Sequence, residues 1–252
     1  MAEPTKSITV IGATGLIGRQ LVPLLRDAGH NVTAASRDSG VDLLTGQGLD
    51  DALADAEVVV DVINSATPED SAEAFFQNTA ANLSAAAAKA GVRHYVVLSI
   101  VGADEMAPKA GYIRGKVAQE GAAATSGVPW TVLRATQFHE LAEPITESLI
   151  AGDEVHAPAA LIQPIDSSEV TAILARVAVN EPLYTIHNVG GPQKMSFSDM
   201  ARAVLRHQSR TLNVLDDPSA TYSGLNIEYT TLVTDDEAEL GTTRLVDWLA
   251  RR

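Results

Sequence analysis

One stretch constrains this chain more than any other: "VIGATGLIGRQL", residues 10–21. It continues the β-branched run "SITVIG" (7–12) and opens a helical pattern over Leu16–Ala28. Each of its three glycines has a physical reading. Gly12 permits a tight turn, Gly15 lets backbone approach a pyrophosphate, and Gly18 lets helix and strand pack closely. The amides of the turn, with Thr14, Leu16 and Ile17 between the glycines, then face the phosphates together with the positive end of the helix dipole. Three glycines alone say little. A strand before them and a helix after them favour a dinucleotide-binding turn over an ordinary strand–helix turn with incidental glycines.

The rest of the first half repeats the alternation. β-Branched runs at "NVTAAS" (31–36), "EVVVDVI" (57–63), "HYVVLSI" (94–100) and "WTVLRA" (130–135) are separated by helical patterns, including Ala72–Ala90 and Pro108–Ser126. This predicts an α/β fold: a Rossmann-type, doubly wound parallel sheet with helices on both faces. Near-continuous valine runs suit strands covered on both sides. "AGH", "AGV" and "SGV" (28–30, 90–92, 126–128) place a glycine where a helix C′ position takes a left-handed conformation. Later, Asp166 is expected to cap a helix starting at Ser167, with Glu169 at capping-box spacing, and Ser196 to do the same with Asp199. "LYTIHNV" reads as a strand and "TTRLVDWLARR" as a terminal helix. The whole chain, 1–252, is expected to form one Rossmann-type domain, with 136–163 and 190–252 supplying a small C-terminal substrate-covering lobe.

Composition removes several function classes. The formal net charge of −14 disfavours nucleic acid and anionic membranes as partners. With no cysteine, there is no disulfide, thiolate metal site or cysteine nucleophile. No histidine or carboxylate spacing matches a metal site, so no metal is expected. No apolar run reaches the roughly 18 residues of a membrane span, and "MAEPTKSITV" has no signal-peptide stretch. The expectation is a soluble, cytoplasmic protein, monomeric or a small homo-oligomer, acting on a small molecule.

The end of the second strand chooses between nicotinamide cofactors. An acidic residue there binds the ribose 2′-hydroxyl of NAD(H). Here "AASRDSG" puts Ser36 and Arg37 first, and a guanidinium suits a 2′-phosphate. NADP(H) is therefore favoured over NAD(H). Asp38 keeps the alternative open, since a strand ending one residue later would put it in the ribose position.

"AGYIRGKVAQE" (110–120) carries Tyr112 and Lys116 on one helix face, either as a working pair or as two solvated helix residues, with Ser99 then a plain strand-end hydroxyl. The strand before it ends with Ser99 near its carboxyl edge, where ligands of open α/β sheets bind. Three glycines (Gly111, Gly115 and Gly121) cost this helix about 1 kcal/mol each, so packing must offset them. Gly115 reads either as a close approach to another backbone or the cofactor, or as merely tolerated.

The combination "GATGLIG", "VVLSIVG", "YIRGK" and "GVPWTVLRATQF" resembles the short-chain dehydrogenase/reductase superfamily, above all its atypical NmrA-like branch. The resemblance covers almost the whole chain and is strongest over 8–140. It implies that Ser99, Tyr112 and Lys116 match the Ser, Tyr and Lys of enzymatic members. Tyr112 would exchange a proton with a substrate carbonyl as hydride moves, Ser99 would hold the same oxygen, and Lys116 would orient the nicotinamide ribose and, with the oxidised ring's charge, lower the phenol's pKa. Some NmrA-like proteins lack the tyrosine and act as cofactor sensors, so a non-enzymatic NADP(H)-binding regulator is the alternative. A sugar-nucleotide epimerase is disfavoured by the small second lobe.

Further cofactor contacts are expected at Ile63, Asn64, Ser65 and Ala66 of "VVVDVINSA", and at Asp42 and Leu43, which resemble the family's adenine-edge segment. Asn64 reads equally well as a turn residue and Asp42 as a surface carboxylate. Ile100 and Val101, and Gln137, Phe138 and His139 of "RATQFHE", are placed at the substrate, with a core role open for Phe138.

Overall fold

A computed structural model describes residues 4–65 and 71–252. In chain order the elements are β1 (Ser7–Ile11), α1 (Gly18–Asp27), β2 (Asn31–Ala35), α2 (Leu49–Leu53), β3 (Val58–Asp61), α3 (Ser71–Ala90), β4 (His94–Ile100), α4 (Ala103–Met106), α5 (Gly111–Thr125) and β5 (Trp130–Ala135). They continue with α6 (Ala142–Ser148), β6 (Ile150–Ala151), β7 (Glu154–Pro158), β8 (Leu161–Ile162), α7 (Ser167–Val179), β9 (Ile186–Gly190), β10 (Met195–Ser196), α8 (Phe197–His207), β11 (Asn213–Asp217), β12 (Glu239–Leu240) and α9 (Leu245–Leu249).

The alternating runs form the expected parallel sheet, seven strands in the order β12-β9-β5-β4-β3-β1-β2. β1 has β2 on one side (Ile11 opposite Ala35) and β3 on the other (Ile11 opposite Asp61). The chain therefore reverses its winding direction at β1. The carboxyl ends of β1 and β3 border a topological switch point, where open α/β sheets bind ligands. Every residue of β3 is buried, as the unbroken valine run requires of a strand covered on both faces.

The chain divides into two compact units. The first holds the described residues as far as Ser99, Ala110–Arg134 and Thr171–His187; the second holds Ile100–Lys109, Ala135–Val170 and Asn188–Arg252. In the first, Ile11, Val59, Phe76, Leu83, Tyr95 and Val132 belong to one buried cluster against which Tyr112 and Trp130 pack. In the second, β11-β7-β6 and β10-β8 form two small sheets, and α8 packs on β7 and α6. Val155, Ala157, Ile162, Phe197, Met200 and Val204 are buried there.

Local signals held where they were strongest. Gly29, Gly91 and Gly127 all have positive φ, as helix-ending glycines should. Asp166 Oδ1 accepts from Ser168 N at 2.9 Å and Ser196 Oγ from Asp199 N at 3.0 Å, so both caps form. Glu169 does not close a capping box; its carboxylate accepts from the amides and hydroxyls of Thr242 and Thr243.

Some boundaries moved. The helix expected from Pro108 begins at Gly111, because Ala107–Lys109 forms a 3-10 turn and Ala110 is extended (φ −144°, ψ 126°). Residues 16 and 17 belong to the turn before α1 rather than to the helix. The strand expected from Leu183 starts at Ile186, since Tyr184 has φ 53°.

Candidate active site

The glycine turn can be rebuilt atom by atom. Gly12 has φ +86°, and a Cβ there would stand 3.1 Å from Ile63 N and from the Val62 carbonyl atoms. The turn is thus seated on the backbone leaving β3. At Gly18 a Cβ would fall 2.3 Å from Gly12 O and 2.6 Å from Ala13 Cα, so only glycine lets α1 start this close to β1. Gly15 is less demanding, its nearest such contact being 3.3 Å from Gly12 O.

Gly12, Ala13 and Gly15 spend their amides within the protein, on Ala35 O, Ala35 O and Gly12 O. Among the described residues, the amides of Thr14, Leu16, Ile17 and Gly18 make no hydrogen bond. No side chain caps α1, and no acidic residue stands in its first turn. A helix start left without a cap, with free amides and an exposed Thr14–Leu16 segment, is a cradle suited to a phosphate group.

The end of β2 and the backbone beyond β3 adjoin this turn. β2 stops at Ala35, and Ser36 leads into a 3-10 turn over Arg37–Ser39 that is held by Ser36 N donating to Ser39 Oγ (2.9 Å). Arg37 is exposed, and among the described residues its guanidinium makes no hydrogen bond or ion pair, its carbonyl alone accepting from Gly40 N; Asp38 is exposed beside it. Asp42 is spent on its own loop, accepting from Leu44 N at 2.8 Å. Leu43 packs against the core cluster, and its carbonyl accepts from Asn82 Nδ2. Ile63 is buried, Asn64 exposed and Ser65 half-buried; Ala66 lies outside the described residues.

Tyr112 and Lys116 share a face of α5, as their spacing requires, and one ring of α3 holds both. Phe76 meets Tyr112 edge-on (centroids 5.5 Å apart, planes at 82°), and Lys116 Nζ sits 5.1 Å above the same ring. This closeness explains Gly115: a Cβ there would meet Phe76 Cδ2 at 2.7 Å. Gly115 is thus required by α3. Gly121, with nothing within 4 Å, is simply tolerated.

Electrostatically the two residues differ from expectation. Tyr112 donates to Asn64 Oδ1 at 2.7 Å, yet burial pushes its phenol up to about 12. The hydrogen bond to Asn64 opposes that rise. The expected lowering by Lys116 is therefore not a property of the protein alone. Lys116 is itself buried, which brings its amine down to about 8 against the opposing pull of Asp61 and Glu120. Its ammonium donates to Leu98 O (2.7 Å) and to Gln119 Oε1. Ser99, the next residue on β4, is 3% exposed, and its Oγ has no hydrogen-bond partner among the described residues. An unpaired buried hydroxyl costs about 1–3 kcal/mol, and a ligand oxygen would relieve it.

Sequence reasoning missed Asp61, Gln119 and Phe76. Two of these had a readable signal. Asp61 is a lone carboxylate inside a buried valine strand, and Gln119 is one helical turn from Lys116.

The candidate substrate residues Ile100, Val101, Gln137, Phe138 and His139 belong to the second unit. Val101 is buried and donates its amide to Ala135 O. Gln137 is buried with Oε1 unpartnered; Phe138 is half-buried and bridges to Ile165. His139 is fully buried, its Nε2 is 3.1 Å from Pro164 O, and its ring meets Trp248 edge-on, so it is part of that unit's packing. Among the described residues no group of three or more His, Asp and Glu side chains is arranged to hold a metal ion, and no helix is long and apolar enough to cross a membrane.

Known proteins resemble this chain in both sequence and fold. The (4-alkanoyl-5-oxo-2,5-dihydrofuran-3-yl)methyl phosphate reductase of Streptomyces griseus subsp. griseus is 35% identical over 143 residues, which is 52% of this chain and 48% of the relative. The match thus spans about half that enzyme's length. An NADPH-dependent quinone oxidoreductase from Escherichia coli superposes with a TM-score of 0.66 at 17% identity, covering 97% of this chain and 98% of the other. The Bordetella bronchiseptica enzyme WbmH, solved with NAD+, does so with a TM-score of 0.75 at 14% identity, covering 98% and 96%. At such identities the likeness is one of fold, a Rossmann-type architecture. The glycine turn, its uncapped helix and the switch point all fall within, or at the edge of, residues 12–178, which match the family described as NAD(P)H-binding, and to that family this chain belongs.

Proposed function

We propose that the protein is an NADP(H)-dependent oxidoreductase that transfers hydride between nicotinamide and a small carbonyl, alcohol or quinone-like substrate, using Ser99, Tyr112 and Lys116. The observation that carries this reading is the buried, unpartnered Ser99 hydroxyl at the carboxyl end of β4, on the backbone that Lys116 grips one residue earlier. The S. griseus relative, named as a reductase, supports the reaction class.

The residues fit the cofactor. The amides of Thr14, Leu16, Ile17 and Gly18 would hold its pyrophosphate. Arg37, the first charge beyond the end of β2, supports a 2′-phosphate and hence NADP(H) over NAD(H). Ile63, Asn64 and Ser65 leave β3 beside this turn. When bound, the cofactor supplies or accepts the hydride. Ser99 then donates to the substrate oxygen and stabilises its developing charge. Tyr112 exchanges its bond to Asn64 for one to that oxygen and delivers the proton. Lys116 contributes positive charge and contacts the ribose hydroxyls.

The test is NADPH consumption over aldehydes, ketones, quinones, imines and unsaturated lactones, with Tyr112→Phe as control. That variant should lose about 10²–10⁴-fold in turnover at nearly constant NADPH affinity. NADPH binding without oxidation by any panel member would replace this reading with a cofactor sensor.

A further inference from the structure

Asp61 has no role in the chemistry above, yet it is among the most deeply buried ionisable groups of the first unit, and burial raises its carboxyl above the usual range against the pull of Gln119, Lys116, Ile63 and Tyr95. It is 0% exposed, at the carboxyl end of β3 between Ile11 and Val97. Its carboxylate is fully engaged. Oδ2 accepts from Gln119 Nε2 at 2.7 Å and from the Tyr95 hydroxyl at 3.3 Å; Oδ1 accepts from Ile63 N at 3.1 Å. Burying a carboxylate this way costs several kcal/mol unless its surroundings repay it.

The geometry shows what the charge holds. Gln119 presents its NH2 to Asp61, which turns its oxygen towards Lys116, and that oxygen accepts from the Lys116 ammonium. A single amide thus lies between an anion and a cation, oriented by both. The ammonium's other donor bond reaches Leu98 O, one residue before Ser99, and its remaining face lies over Phe76. The Ile63 amide bond shapes the exit from β3 that places Asn64 against Tyr112.

We propose that Asp61 is the positioning residue of this site: through Gln119 it holds the Lys116 ammonium against the Leu98 carbonyl, as a carboxylate–amide–ammonium relay. Its catalytic consequence rests on the reductase reading; its electrostatics do not. Among the described residues, the charged and titratable groups around Lys116 are Asp61 from β3, Glu120 from α5, the latter paired with Arg134 of β5, and Tyr112, which packs on the same Phe76 ring. Around Asp61 they are Lys116 and Tyr95 of β4.

The test exploits the direction of the relay. Asp61→Asn removes the charge and offers Gln119 a donor and an acceptor with no ion to orient it. Adding Gln119→Glu restores one negative charge, a link nearer the ammonium. Lysine-selective NMR of the protein without cofactor, with Lys116→Met identifying the signal, follows the amine's titration. From about 8 in the parent, the midpoint should fall by about one unit or more in Asp61→Asn and return to or above the parent value in the double variant. NADPH turnover with the substrate found by the screen should fall and recover in parallel. Should Asp61→Asn not fold, Gln119→Leu breaks the middle link alone and should also lower the midpoint. A midpoint unmoved by either single variant, or a double variant no nearer the parent than Asp61→Asn, overturns the relay. A relay that titrates as described in a protein that oxidises no NADPH would keep this inference and remove the reductase reading.

Discussion

Replacing Gly18 by alanine tests the cofactor turn most directly. The new Cβ would lie 2.3 Å from Gly12 O, 2.6 Å from Ala13 Cα and 2.8 Å from Ala13 C. All three are backbone atoms, so no side chain can swing aside. The turn cannot retreat freely either, because Gly12 is seated against Val62 and Ile63. The start of α1 must therefore move by roughly 1 Å to reach ordinary contact distance, at about 1–3 kcal/mol of stability. The same shift carries the free amides of Leu16, Ile17 and Gly18 away from the pyrophosphate. Losing two charge-assisted hydrogen bonds at about 1.5 kcal/mol each weakens binding on the order of 100-fold. NADPH fluorescence titration measures the affinity and urea unfolding the stability. Gly29→Ala is the control: it has φ +88° but open space around it, so it should lose about 1 kcal/mol of stability and no affinity. A folded Gly18→Ala protein that binds NADPH as tightly as the parent would refute this account of the turn.

Two further outcomes concern groups outside the chemistry. His94 is buried with Nε2 2.9 Å from Thr131 Oγ1, and burial brings its pKa from 6.5 down to about 4. The unfolded chain takes up this proton first, so the stability is fully present above about 6.5 and is lost as pH falls towards 4, by up to about 3 kcal/mol. His94→Gln should flatten that limb in urea midpoints measured across pH 4–7; an unchanged slope would show that other groups control it. Arg134 and Glu120 form a buried bidentate pair (2.9 and 2.6 Å). Arg134→Met alone should cost about 3–5 kcal/mol, while Arg134→Met with Glu120→Leu should cost far less, because no buried charge is then stranded. Equal losses would show that the two side chains act through packing instead.

The sequence alone determined the features governed by near neighbours. Glycines at 12, 15 and 18 between a β-branched run and a helical one announced the turn, because left-handed backbone and missing Cβ atoms are written in residue type. The buried valine strands announced a parallel sheet. The Tyr112–Lys116 face followed from helical spacing, and the Asp166 and Ser196 caps from local hydrogen bonding. Tertiary structure decided what those residues do. That Lys116 turns its ammonium to Leu98, that Phe76 holds it beside Tyr112 and that Asp61 closes the relay through Gln119 depend on segments 18 to 58 residues apart in the chain. A pKa follows the same rule: burial and partners set it, and burial is what raises the Tyr112 phenol in the protein without cofactor.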